Sequence, residues 1–208
     1  GAVRAAAPAR RATVAVSVPV PASLEMTPVP VGERSRLSKA VGEDKFVVSV
    51  EMLPPRGHDL VKTLAGAKLL HEAGVDAINI PDGPRASARM SPMAMAVRLE
   101  REVGIETIIH YCCRDRNLLG MQSDLLGAHS LGLRNVLIIT GDPPKLGDYP
   151  DATAVFDVDS IGLTNMVTRL NNGLDVGGNA IGEPAAFYVG CGVNPGSPDL
   201  DREIARFE

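Results

Sequence analysis

Two acids in this chain, Glu51 and Asp142, each follow an aliphatic run and each stand close to a Pro-Pro pair. The stretches are FVVSVEMLPPR, residues 46–56, and VLIITGDPPK, residues 136–145. Proline lacks the N–H that a sheet ladder needs, so both runs must stop as strands near their acids. That arrangement carries a carboxylate to the C-terminal edge of a strand, where α/β barrels keep their chemistry. A glutamate on the inward face, partly desolvated, suits a general acid, and the second acid at the same rim fits either a shared site or a turn-forming Asp before proline. His110 ends a third run, TIIHYCC, with no His-x-His or Cys-x-x-Cys partner nearby. Its setting therefore points to a pocket-lining hydrogen-bond donor rather than a metal ligand. Asn79, Asp82 and Arg85 flank the end of another short run, where Asp82 also fits simple turn chemistry. GCGVNPG, residues 190–196, has the spacing G-x-G-x-x-x-G late in the chain, so it reads as a wide glycine loop and only weakly as a dinucleotide fingerprint.

The elements that must position these groups follow a regular beat. A short helical segment, Arg34 to Ala40, precedes a strand from Phe46 to Glu51, and apolar residues at helical spacing predict a helix over Asp59 to Ala73. Strand and helix then alternate: Ala77 to Ile80, Pro92 to Val103, Ile105 to Tyr111, Leu118 to Leu131 and Asn135 to Thr140. Gly74, Gly104 and Gly132 stand where helix C-caps belong. A long connection, with a loop from Gly141 to Val158, a helix near Ser160 to Asn171 and the glycine-rich Gly173 to Pro184, leads to a fifth strand, Ala186 to Cys191. A last helix starts around Asp199. Units of this kind predict parallel βα repeats, here the first five or so of a (β/α)8 TIM barrel. Alternation puts Val47, Ser49 and Glu51 on the lumen face of the first strand, with Phe46, Val48 and Val50 toward the helices. The same rule gives Ile138, Thr140 and Asp142 a shared face, and His110 a face shared with Ile108.

Of 208 residues, 45% are apolar and 22% charged, enough apolar material for one sizeable core. A formal charge of −4 with no long basic run gives no footprint for nucleic acid or an anionic membrane, and aromatics at 3% offer no stacking platform. No apolar run reaches the roughly 20 residues that span a bilayer. Three cysteines without paired spacing fit a reducing, cytoplasmic setting. Residues 1 to about 40 read as a linker or tail rich in Ala, Val and Pro, and residues 41–208 as the barrel part.

VSVEMLPPRG, IIHYCC and IITGDPPK resemble the first-, third- and fourth-strand motifs of the methylenetetrahydrofolate reductase family, over roughly residues 41 to 208. The similarity is strongest to the reductase half of bifunctional proteins in which a homocysteine S-methyltransferase domain precedes the reductase. The resemblance implies a barrel that binds FAD, takes hydride from NAD(P)H and reduces 5,10-methylenetetrahydrofolate to 5-methyltetrahydrofolate. It implies that Glu51 is the acid that opens the folate's five-membered ring and that Asp142 lies near the flavin pyrimidine and the pterin. Pro81, Asp82, His110, Thr140 and Gly141 would line the flavin site, with Gly190, Cys191 and Gly192 close to it. Where many relatives carry Arg before the Gly-Asp pair, this chain carries Thr140, and Pro81-Asp82 replaces a Thr and an aromatic residue. The resemblance further implies a homo-oligomer when full length, and a five-unit piece that is inactive alone with an exposed barrel edge. The alternatives from the residues themselves are another TIM-barrel enzyme, a pterin- or phosphate-binding transferase, or a non-catalytic truncated fragment.

Overall fold

The computed structural model describes residues 26–207, so most of the expected tail lies outside the described residues. Five strands form one sheet: β1 Ser49–Glu51, β2 Ala77–Ile80, β3 Glu106–Cys112, β4 Asn135–Ile139 and β5 Tyr188–Cys191. They pair in sequence order, β1-β2-β3-β4-β5, and every pairing is parallel. The connections carry helices α2 Val61–Glu72, α3 Pro92–Glu102, α4 Leu118–Ser130 and α5 Ser160–Asn171, with α1 Arg36–Gly42 before the sheet and α6 Leu200–Phe207 after it. Glycines at positive φ follow α2, α3 and α4, namely Gly74 at 84°, Gly104 at 80° and Gly132 at 102°, a conformation that ends a helix at little cost only for glycine.

The register divides the sheet into two unlike faces. Val50, Ile78, Ile80, Ile109, Tyr111, Val136 and Ile138 share one face. All but Val50 are buried, in a core with Ala67 of α2, Leu99 of α3, Leu125 of α4 and Met166 of α5. Four crossover helices therefore cover a single side. The opposite face carries Ser49, Glu51, Asn79, Ile108, His110, Leu137, Ile139 and Gly190, none of them fully buried, together with Ala77, Glu106, Cys112 and Asn135, which are buried.

Several expected details are corrected. β1 is only three residues long, and Phe46, expected against the helices, is 91% exposed. Among the described residues β1 pairs only with β2, so the residues before it gain no second ladder and little cover there. Glu51, expected to be partly desolvated, is exposed. Ile138 packs against the helices, so Leu137 and Ile139, not Ile138 and Thr140, occupy the bare face.

One end of the sheet is locked by α1. Ser35 caps the helix and forms a reciprocal capping box with Ser38. The buried Glu106 carboxylate, at the N-terminal end of β3, accepts the Arg36 and Leu37 N–H groups at 3.1 and 2.7 Å. A negative charge at a helix N-terminus satisfies both donors and the dipole together.

Candidate active site

At the other end, where the strands finish, the bare face opens into a cleft of about 420 Å³. Glu51 reaches it from the end of β1. The turn that follows is tied down by Arg89, whose Nη1 donates to the Pro54 carbonyl at 2.8 Å, and by the Met90 N–H, which donates to the Pro55 carbonyl at 3.0 Å. Asp142 reaches the same cleft from β4, and Gly141 is the reason. Its φ of 95° swings the chain across the rim, and a Cβ there would stand 2.9 Å from that of Cys112, so only glycine fits. Glu51 and Asp142, far apart in sequence, thus face one space together with Pro81, Asp82, His110 and Gly141.

His110 is held by a relay across the strands. Asn79 Nδ2 donates to Ser49 Oγ at 2.9 Å, which leaves Asn79 Oδ1 toward His110 Nε2 at 3.3 Å. An acceptor at that distance selects the tautomer with its proton on Nε2 and leaves Nδ1 as an acceptor. Burial pushes the His110 imidazole below its usual range, with Glu51 and Asp82 partly opposing the shift, so the neutral ring prevails at pH 7.

Asp82 lines the floor in a different role. It is 7% exposed, accepts the Cys112 N–H at 3.1 Å, and pairs with Arg116 Nη1 at 2.8 Å. Arg116 also meets Asp124 at 2.9 Å and lies over the Tyr111 ring at 4.7 Å. Burial works against its charge, yet Asp82 and the other groups around it together outweigh burial and keep the guanidinium firmly protonated. Potential ligand atoms of Asp82, Cys112 and Asp115 lie within 4.8 Å of one another. The acids are already neutralised, Asp82 by Arg116 and Asp115 by Arg114 at 2.7 Å, and burial pushes the Cys112 thiol up to about 12, so the cluster is an ion-pair network and a poor cation site.

The other expected residues sit apart. Thr140 Oγ1 accepts the Ser160 N–H at 3.2 Å and so serves the start of α5 rather than Asp142. Cys191 and Gly192 line a second depression, of about 180 Å³, with Ser160, Thr164, Glu203 and Arg206. Gly190 lies on the bare face, where a Cβ would stand 3.3 Å from Leu137 Cδ1. Arg114, which the motifs did not single out, lines the main cleft. It is 4% exposed, and its Nη1 donates to the carbonyls of Gly83 at 3.2 Å and Asp142 at 3.3 Å. The signal for it was the charged run CCRDR directly after the third strand.

The family model for methylenetetrahydrofolate reductase matches residues 36–207. The chain belongs to that family. None of the curated proteins matches it. Membership of the methylenetetrahydrofolate reductase family makes this an oxidoreductase domain of folate chemistry. No helix among the described residues is long and apolar enough to cross a membrane.

Proposed function

We infer that this domain carries out flavin-dependent reduction of 5,10-methylenetetrahydrofolate to 5-methyltetrahydrofolate with NAD(P)H. The observation that carries the reading is the opening of Glu51 and Asp142 onto one rim cleft in a chain of this family. The sheet supports a partial (β/α)8 barrel. Parallel sheets bury both faces, either under two helical layers or by curling shut, and here sequential strand order puts all four crossover helices on one side. The polar, half-open face is then the lumen.

The cleft suits FAD on chemical grounds. Its size is within the ~300–1,000 Å³ usual for small-molecule sites. Half-buried Ile139, beside Pro81, offers an apolar contact for a flat ring, while Arg114 supplies a donor and His110 and Asp142 supply acceptors at its margin. Pro81, Asp82, His110, Gly141 and Asp142 would hold the ring, with Thr140, Gly190, Cys191 and Gly192 on the side toward α5. The cofactor held there supplies the hydride relay between NAD(P)H and the folate carbon.

The protein's own work is proton placement and orientation. Glu51 gives its carboxyl proton to the ring nitrogen whose bond to the bridging carbon breaks. The bonding pair stays on that nitrogen, and the carbon becomes an iminium able to accept hydride. An exposed rim position lets Glu51 take its proton from solvent. Asp142, on the opposite wall, orients the pterin and disfavours added negative charge beside it. Neutral His110 supplies a fixed hydrogen-bonding edge between them.

The full polypeptide should purify yellow and bleach with NAD(P)H. Glu51→Gln should cut folate reduction by roughly 10²-fold or more while flavin bleaching stays within about twofold, because general acid catalysis supplies ~10²–10⁴. Equal loss of both half-reactions would reject the role given to Glu51, and a colourless protein that does not take up FAD would favour a transferase. The remaining parts of the reading are a cytoplasmic homo-oligomer with a homocysteine methyltransferase domain ahead of the linker, and an isolated five-unit piece that turns over no folate.

A further inference from the structure

The loops that leave β2 and β4 are built into each other. Arg85 and Ala86 both sit in the left-handed region, at φ 56° and 49°, where a side chain on Cβ crowds the backbone. Such residues persist only when their surroundings hold them there. Three contacts do so. The Arg85 N–H donates to Asp142 Oδ2 at 3.0 Å. Arg114 Nη1 bridges the Gly83 and Asp142 carbonyls from beneath. Gly147, just past the 3-10 turn Pro144–Leu146, packs directly on the strained pair. A Cβ on Gly147 would run into the Ala86 carbonyl oxygen and stand 2.6 Å from that of Arg85. Both obstacles are backbone, so nothing flexible can yield, and the φ at Gly147 gives no other reason for glycine.

One consequence concerns the acid itself. Asp142 is exposed and lies on a rim loop, so its rotamer is not fixed by packing. The Arg85 N–H is the one donor to its carboxylate among the described hydrogen bonds. We propose that Gly147 is a positioning residue for the reductase site: it lets the β2 loop close on the β4 loop so that the strained Arg85 N–H aims the Asp142 carboxylate into the cleft. This rests on the reading of Asp142 as a group that faces substrate.

The test is a double-mutant cycle in the full polypeptide, using Gly147→Ala, Asp142→Ala and the pair, with Gly57→Ala as control because a Cβ on Gly57 meets nothing within 4 Å. The first readout is amide hydrogen exchange of residues 83–87, independent of cofactor and turnover. Each single variant should speed that exchange about tenfold or more, the effect of losing a hydrogen bond to a charged group, while residues 106–112 keep wild-type protection. The pair should exchange no faster than the faster single variant. The second readout is kinetic: Gly147→Ala should lower folate-dependent reoxidation about tenfold and leave NAD(P)H bleaching within twofold. Wild-type exchange at 83–87 in Gly147→Ala overturns the proposal, as does full additivity in the pair. If Gly147→Ala loses protection at 106–112 as well, Asp142→Ala decides, because unchanged exchange at 83–87 in that variant also overturns it. Absence of folate reduction in the wild type, with the exchange pattern intact, refutes the functional reading and leaves the loop clamp standing.

Discussion

Replacing Asp82 by alanine separates a structural acid from a ligand-binding one. Its side chain is 6% exposed and that of Arg116 is 19% exposed. The substitution orphans the buried Cys112 N–H and strips Arg116 of one of its two carboxylates. Breaking a fully buried pair by removing one partner costs ~3–5 kcal/mol. Asp124 at 2.9 Å and the Tyr111 ring at 4.7 Å remain to Arg116, so roughly half of that is retained. Losing the acceptor for the Cys112 amide adds ~1–3 kcal/mol. A net loss of about 4 kcal/mol follows, which for a domain of this size is a fall in Tm of roughly 8–16 °C. Urea unfolding followed by far-UV circular dichroism should show a lower midpoint with an unchanged slope. Asp82→Asn, which can still accept from Cys112, should fall between alanine and wild type. A Tm within about 2 °C of wild type for Asp82→Ala, less than ~1 kcal/mol, would refute the network argument and leave Asp82 with its binding role alone.

Stability should also fall on the acid side. His129 Nε2 accepts the Ala186 N–H at 3.0 Å, and burial with the nearby Arg134 holds the imidazole below its usual 6.5. The unfolded chain therefore binds the proton more readily, so the stabilisation is complete above 6.5 and declines as pH drops toward the folded value. His129→Gln keeps an acceptor that does not titrate, and should flatten part of that decline in urea midpoints taken from pH 8 to about 5; the half-buried His110 adds to it with the same sign. Of the three cysteines, only Cys191 is exposed, and burial pushes the Cys112 and Cys113 thiols up to about 12. A thiol reagent near pH 8 should take up one fast equivalent from the native chain and the other two only in denaturant. Glu106→Ala should free α1, with a loss of about 2–3 kcal/mol and rapid proteolysis near residues 34–42, because two N–H groups lose a charged acceptor. Unchanged cleavage there would show that α1 is held by other contacts.

The alternation of strands and helices was legible because glycine and proline mark its joints. Gly74, Gly104 and Gly132 end helices where a side chain would resist, and Pro54 and Pro143 stop strands that would otherwise run on. Convergence of Glu51 and Asp142 was legible for the same reason, since each follows the end of a parallel strand. What the pattern could not carry was anything set by a neighbour. Phe46 has the β propensity of a strand residue, but an edge position leaves it in water. Strict alternation sent Asp142 to the face of Ile138, whereas Gly141 rotates the chain and brings it round to the cleft. Thr140 stood one residue from a candidate acid and yet turns to α5. Asp82 looked like turn chemistry because its partner, Arg116, comes from another loop. Arg114 lies in a run of charges that reads as solvated surface until tertiary structure covers it.

The Glu106 lock and the rim cleft occupy opposite ends of the same strands. β3 spans them with seven residues, about 20 Å at the usual rise. Substitutions where α1 docks can therefore alter how firmly the domain holds together without being felt at the reacting atoms. Sequence drift around the rim can likewise retune chemistry without loosening the base, so the two properties are free to evolve on separate schedules.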